Sequence, residues 1–226
     1  MRKLAVLTVV LALVLLLADQ VARSWAEAKL RERAAAYYPP STSASASIHS
    51  FPFLGRLAVS GDVSDVRLTL DDVRFDVLLV HRLSLDLEQV EVDKAELTRG
   101  RVRLLDIGHG RIGLRIDGPS LARAVDADLR FTDGSIEVHK RIGGNDVVAR
   151  GQITVEGNAL RLRPTSVEGV DLPASAFALT YQVPPSLLPP CQIEVRAVAG
   201  GLVAGCTFSD VPESLVRGAP LGLGPS

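Results

Sequence analysis

The sequence predicts an α+β chain that is mostly β, an antiparallel sheet with one covered face preceded by helical segments. Three observations carry this reading. Between Ile48 and Phe208 apolar residues recur at every second position. Glycine-centred turn signals separate those runs. The residues before them have a helical composition instead, apolar at first and then rich in alanine.

Residues 1–20 open with Arg2 and Lys3, followed by fifteen uncharged residues from Leu4 to Ala18. A positive end and an apolar run are the marks of an export signal. A helix over Leu4 to Ala18 covers about 22 Å, short of a hydrocarbon core of about 30 Å. A stable anchor must therefore draw in Val21 to Trp25, and that carries Asp19 and Gln20 to an unfavourable depth. No lipobox cysteine follows, and Ser24-Trp25-Ala26 is a poor cleavage site. Export to the outer face of the plasma membrane or a periplasm-like space is expected, with a cleaved signal and a retained signal anchor both open. Residues 21–40 hold "VARSWAEAKLRERAAAYY", with Glu27 four before Arg31 and a stop at Pro39-Pro40, which predicts a helix. "STSASAS" is then a linker or the start of a first strand.

Residues 41–212 form the predicted β domain. Leu68 and Leu70 alternate with Arg67, Thr69 and Asp71, and Leu83, Leu85 and Leu87 with Ser84, Asp86 and Glu88. Ile112, Leu114 and Ile116, then Ile153 with Val155, and Leu160 with Leu162, follow the same rule. One apolar and one charged face per strand is the pattern of an antiparallel sheet covered on one side. The phase slips between Leu87 and Val90, which predicts a bulge or strong bend. Turns are expected at Gly61-Asp62, Asp133-Gly134, Gly143-Gly144 and Gly157-Asn158. Gly118 to Ala127 looks helical, with Ser120 as its cap and Leu121, Ala124 and Val125 on one side. Residues 213–226 read as a disordered tail.

Cys191 and Cys206 flank a hairpin with Gly200-Gly201 in its turn. Two cysteines suit a disulfide in an oxidising compartment. With Ala197 facing Leu202 they lie diagonally, about 7–8 Å apart, so a bond requires a bulge or wider loop. The alternative is two small apolar side chains in a core.

Signals for chemistry are weak. A net charge of −1 from 25 basic and 26 acidic residues, scattered along the chain, argues against nucleic acid as a partner. "GHGRIG", Gly108 to Gly113, matches a dinucleotide-binding pattern in letters only, because "LRID" continues as a strand where that motif needs a helix. His49, His81, His109 and His139 have no ligand spacing, so no metal is expected. Asp71 and Asp72 read as a solvated edge rather than a general acid/base pair. No nucleophile elbow or zinc-protease motif is present. No cofactor and no enzyme activity are expected, although an enzyme with a dispersed site stays open. The positive signal is the amount of one-sided apolar sheet, which either fills a small core or lines a groove for acyl chains. Exposing about thirty lipid methylenes to water would cost on the order of 25 kcal/mol, so a lipid carrier must supply such a groove.

"FPFLGRLAVSGDVSDVRLTLDDV", Phe51 to Val73, resembles the LmeA-type phospholipid-binding proteins of actinobacterial envelopes. "GPSLARAV" and the "IEVRAVAGGLVAGCTFSDV" hairpin continue the resemblance over about residues 20 to 216. The cysteine pair and the lack of a good cleavage site depart from that pattern. The resemblance implies an elongated, curled antiparallel sheet wrapped around an N-terminal helix, similar to tubular lipid-binding domains. It also implies phospholipid and the membrane surface as partners, in cell-envelope maintenance. No catalytic residues carry over. Phe51, Phe53, Leu54, Leu68, Leu70, Leu85, Leu87, Leu114 and Ile116 are the residues expected to line the apolar face. Phe51 and Phe53 are expected on one side of an extended segment and Leu54 on the other, as an apolar lip for acyl chains or bilayer, or as a staple docking the first loop. A structural module that binds an envelope protein through its sheet edge is the other alternative.

Overall fold

One uninterrupted helix, α1 (Arg2–Tyr37), joins the two N-terminal segments that the sequence sets apart. Its 36 residues include neither glycine nor proline, so nothing breaks the ladder at Asp19-Gln20. The structure is a computed structural model and describes residues 2–37, 43–75, 78–98, 104–142, 145–157, 159–168, 177–182 and 191–209. Gly143-Gly144, Asn158 and the tail from 213 onward lie outside the described residues.

After α1 come β1 (Ser43–Ile48), α2 (Phe53–Val59), β2 (Asp62–Phe75), β3 (Leu78–Val92), α3 (Lys94–Thr98), β4 (Leu104–Asp117) and α4 (Gly118–Ala124). The strands β5 (Asp128–Thr132), β6 (Ser135–Ile142), β7 (Asn145–Glu156), β8 (Ala159–Glu168), β9 (Leu179–Gln182), β10 (Glu194–Val198) and β11 (Gly201–Phe208) complete the described chain. Every pairing is antiparallel. The β surface is split into two sheets, one of six strands in the order β1-β2-β3-β4-β11-β10 and one of five in the order β5-β6-β7-β8-β9. The second sheet is thus an insertion between β4 and its neighbour β11.

Alternation along each strand becomes rows across the larger sheet. Ala46, Leu68, Leu85, Ile112 and Cys206 are successive register partners, and Ala44, Leu70, Leu83, Leu114 and Ala204 form the next row. Such cross-strand pairs are the units that hold a sheet together. The C-terminal half of α1 covers this face, with Ala34 buried and Ala22, Ala26 and Leu30 packed against the cluster. The spacing of those residues, three or four apart, is one stripe of a helix. A second cluster gathers Leu121, Ile136, Val138, Val147 and Leu162 with Ala197 and Leu202 of the hairpin.

The slip from Leu87 to Val90 occurs at Gln89, whose φ is 55°. Val66↔Leu87 and Val63↔Val90 keep one register, so β2 and β3 turn over together without an inserted residue. Asp72, at φ 53°, marks a second reversal, between Leu70 and Val73. A true irregularity separates Val80 and Arg82 where β3 meets β4. These reversals curl the sheet.

Cys191 and Cys206 are bonded, with their Cα atoms 5.9 Å apart. The hairpin register places Ala197 opposite Leu202, and its turn is Ala199-Gly200 rather than Gly200-Gly201. Cys191 precedes the ladder, which begins at Glu194, so it is free of the diagonal spacing and falls in the usual range of about 4.4–6.8 Å.

Candidate functional site

The site is assembled around α4. Its cap is Asp117 rather than Ser120: the Ser120 amide donates to Asp117 Oδ2 at 3.0 Å, and Pro119 occupies the first turn. Ser120 is wholly buried and ties the helix down instead, its Oγ accepting from the Leu79 amide at 3.1 Å and donating to the Asp117 carbonyl at 2.9 Å. The helix is therefore fixed to the ends of β3 and β4 and lies across the five-stranded sheet.

This places Leu121 and Val125 as one wall of an apolar cleft. Its floor is Ile136, Ile153, Leu160 and Leu162, where Ile153 and Leu162 are register partners on β7 and β8. Leu179 and Tyr181 of β9 form the far side, opposite Leu162 and Leu160, and Leu129 closes one end. About 320 Å³ of space lies among these side chains when the part open to solvent is counted, so the feature is a shallow cleft rather than a closed cavity. Tyr181 brings the one hydroxyl among these side chains. The arrangement can shelter hydrocarbon and offers little to bind a charged group.

The opposite face of that sheet is ionic. Arg150 lies between Glu137 at 2.7 Å and Glu168 at 3.3 Å, and Glu156 accepts from Arg161 at 2.8 Å and from Arg163. The hydrogen bond from Arg150, with its charge and that of His139, holds the Glu137 carboxyl below the usual carboxylate range against the opposing effect of desolvation.

The residues singled out in the sequence lie elsewhere. Leu68, Leu70, Leu85, Leu87, Leu114 and Ile116 belong to the six-stranded sheet. Leu70, Leu85 and Leu87 are buried in its core, whereas Leu68, Leu114 and Ile116 stay half-buried. Ile116 packs against both clusters and links the two faces. The expected extended segment at Phe51 to Leu54 is corrected: Phe53 starts α2, with Pro52 as its extended N-cap. Phe51 and Phe53 consequently do not share a side, since Phe53 is buried and Phe51 is 70% exposed. A helix turns successive side chains by about 100°, so the two-residue alternation of a strand does not apply. The cleft residues were visible as alternation at Ile153, Val155, Leu160 and Leu162 and as the face of the α4 helix, but no signal told that these two elements meet.

The remaining polar motifs have structural partners. Asp71 pairs with Arg82 at 2.9 Å and accepts from Ser43 at 3.0 Å, while Asp72 faces His81 at 2.8 Å. His81 also lies 3.4 Å from Asp117. Among the described residues, no group of three or more His, Cys, Asp or Glu is placed to hold a metal. "GHGRIG" lies inside β4, and its glycines make room for neighbours. A Cβ on Gly110 would be 2.2 Å from the Phe208 ring, and one on Gly108 would be 2.3 Å from the Gln89 side chain.

The LmeA-like phospholipid-binding family matches residues 17–202, well over half of the chain. This chain belongs to that family. No curated protein and no solved structure matches it. The LmeA-like region begins near the end of the apolar part of α1 and takes in α2, α4 and the whole five-stranded sheet. It therefore contains every residue of the cleft and Cys191, and it ends before Cys206. Phospholipid is the ligand class of the family.

Proposed function

We propose that this LmeA-like protein is a membrane-anchored, non-enzymatic phospholipid-binding protein of the cell envelope that holds an acyl chain in the cleft between α4 and the five-stranded sheet. The observation that carries the reading is the cleft itself, lined by aliphatic side chains and open to solvent. An acyl chain leaves a bilayer only into such a shelter, at about 0.8 kcal/mol per methylene. The head group stays outside, and Tyr181 supplies the one hydroxyl of the lining. A non-enzymatic role fits the polar groups, because Ser120, His81 and Asp117 are engaged in joining α4 to β3 and β4.

The apolar part of α1 serves as anchor. Residues Ala5–Ala36 have a mean hydropathy of 2.4 over their best window, and 6% of that window is buried. Arg2 and Lys3 ahead of an apolar run have the form of an export signal, and on that reading the β domain lies on the extracytoplasmic face. A second arrangement, in which part of the lipid lies along the half-buried Leu68, Leu114 and Ile116, is favoured by the contact of Ile116 with both clusters.

Photo-crosslinking tests both. The full chain is reconstituted in vesicles containing a phospholipid with a diazirine in its acyl chain, irradiated, digested and mapped by mass spectrometry. Crosslinks at Val125, Ile153 or Tyr181 support the cleft, and crosslinks at Leu114 or Ile116 support the second arrangement. Crosslinks confined to the first half of α1 would refute lipid uptake by the β domain.

A further inference from the structure

The fully exposed side chains of the segment from Phe51 to Val59 are all apolar, and its far end is met by Lys94, whose Nζ donates to the Val59 carbonyl at 2.9 Å. Phe51, Pro52, Leu54, Gly55, Ala58 and Val59 are its exposed residues, and Val59 is 80% exposed. Its only charged residue, Arg56, is turned inward to donate to Ser64 Oγ. A short helix in water ordinarily shows its charged residue outward; here Phe53 and Leu57 face the core as expected, while Arg56 is drawn toward Ser64 and the exposed side is left apolar.

The position of α2 along α1 supplies the reason. The Leu54 amide donates to Asp19 Oδ1 at 2.6 Å, which pins the start of α2 at the level where the charge-free stretch of α1 ends. The bond also removes the obstacle to a full span. Asp19 is 7% exposed because α2 covers it, so its carboxylate faces protein rather than lipid. The other side of α1 stays apolar for two more turns, at Val21 and Trp25, both about two-thirds exposed. Measured on that side, Leu4 to Trp25 covers about 33 Å, enough for a hydrocarbon core of about 30 Å.

We propose that α2 is an interfacial helix immersed in the outer leaflet beside α1, its Phe51, Leu54 and Val59 face in lipid and its Asp19 bond closing the side of α1 that would otherwise expose a carboxylate. The occupant of this surface is the bilayer, because the patch is continuous with the apolar stretch of α1 and carries two exposed aromatic residues, Trp25 and Phe51, of the kind enriched at membrane interfaces. This rests on α1 crossing the membrane, and it does not depend on what the cleft holds.

Trp25 is the only tryptophan in the chain, which makes the test direct. The full chain is reconstituted in vesicles with bromine on the lipid chains near the head group, and tryptophan fluorescence is compared with aqueous iodide as the opposing quencher. A second protein carries Trp25→Phe and Phe51→Trp; position 51 is exposed, so this exchange leaves the core intact. The expected result is bromolipid quenching of both tryptophans, each blue-shifted and protected from iodide. Quenching at position 25 with iodide access and no lipid quenching at position 51 would overturn the interfacial helix while leaving the anchor in place. No lipid quenching at either position would overturn both. The measurement is repeated with Val125→Phe, which narrows the cleft. Quenching at position 51 is expected to be unchanged; its loss would show that the signal came from cleft-bound lipid and would overturn the proposal.

Discussion

Gly110→Ala measures how closely β11 is fitted to β4. Gly110 and Phe208 are register partners, and the ring of Phe208 lies directly over the glycine. An added Cβ would be 2.2, 2.3 and 2.7 Å from three ring atoms. Carbon atoms in contact prefer about 3.5–4.0 Å, so the ring must withdraw by about 1.3–1.8 Å. Phe208 is half-buried at the end of β11, and its ring can swing outward and lose part of its packing on the larger core. Overpacking of this kind costs about 1–3 kcal/mol. For a β domain of this size a loss of about 2 kcal/mol lowers Tm by roughly 4–8 °C. Far-UV circular dichroism of the full chain on heating gives that shift. Phe208→Leu provides the control, because a smaller side chain relieves the clash: the double variant is expected to be more stable than the sum of the two single losses by about 1 kcal/mol. A Gly110→Ala protein as stable as the parent, or strict additivity with Phe208→Leu, would refute the account of this glycine.

Two further outcomes follow from other contacts. Cys191 and Cys206 are 15 residues apart in sequence, and a loop of that length corresponds to about 3 kcal/mol in the chain-entropy account. Replacing both by Ala is expected to lower Tm by several degrees under non-reducing conditions, with reductant then having no further effect; a Tm equal to the parent's would contradict it. Glu137 titrates below its ordinary value because of its hydrogen bond from Arg150. Its contribution is complete above the ordinary carboxylate pKa and is lost as pH falls through the depressed folded value. Glu137→Gln should therefore melt below the parent at neutral pH, with the gap closing in acid; a gap independent of pH in thermal scans would argue against the pairing.

The parts of this molecule written as periodicity were legible. Leu68 with Leu70 and Leu83 with Leu85 fixed which faces are covered, and the slip at Val90 announced the bend at Gln89, because period two leaves no freedom about which side chain turns inward. The hairpin facing of Ala197 and Leu202 followed for the same reason. What covers a face was not legible. Nothing local to Ile153 or Leu162 reveals that α4 lies over them, and nothing local to Leu85 reveals α1, since those contacts span long stretches of chain. The split into two sheets is of the same kind. The helix α2 escaped because seven residues are too few to display a 3.6-residue period, and the proline before it suits an extended segment equally well. Asp19 read as an obstacle to a membrane span because its partner, the amide of Leu54, is a backbone group that no side-chain pattern records.

The uninterrupted course of α1 sets a working radius. With α1 as the anchor, the same rod that crosses the bilayer also forms one side of the β domain, and from Trp25 to Tyr37 it rises about 18 Å. In that arrangement no tether would lie between membrane and domain, because Ala26, Leu30 and Ala34 are already part of the core. A protein anchored in this way would not shuttle lipid across a wide aqueous gap. Its reach is the leaflet at its foot and whatever approaches within one domain's height of it.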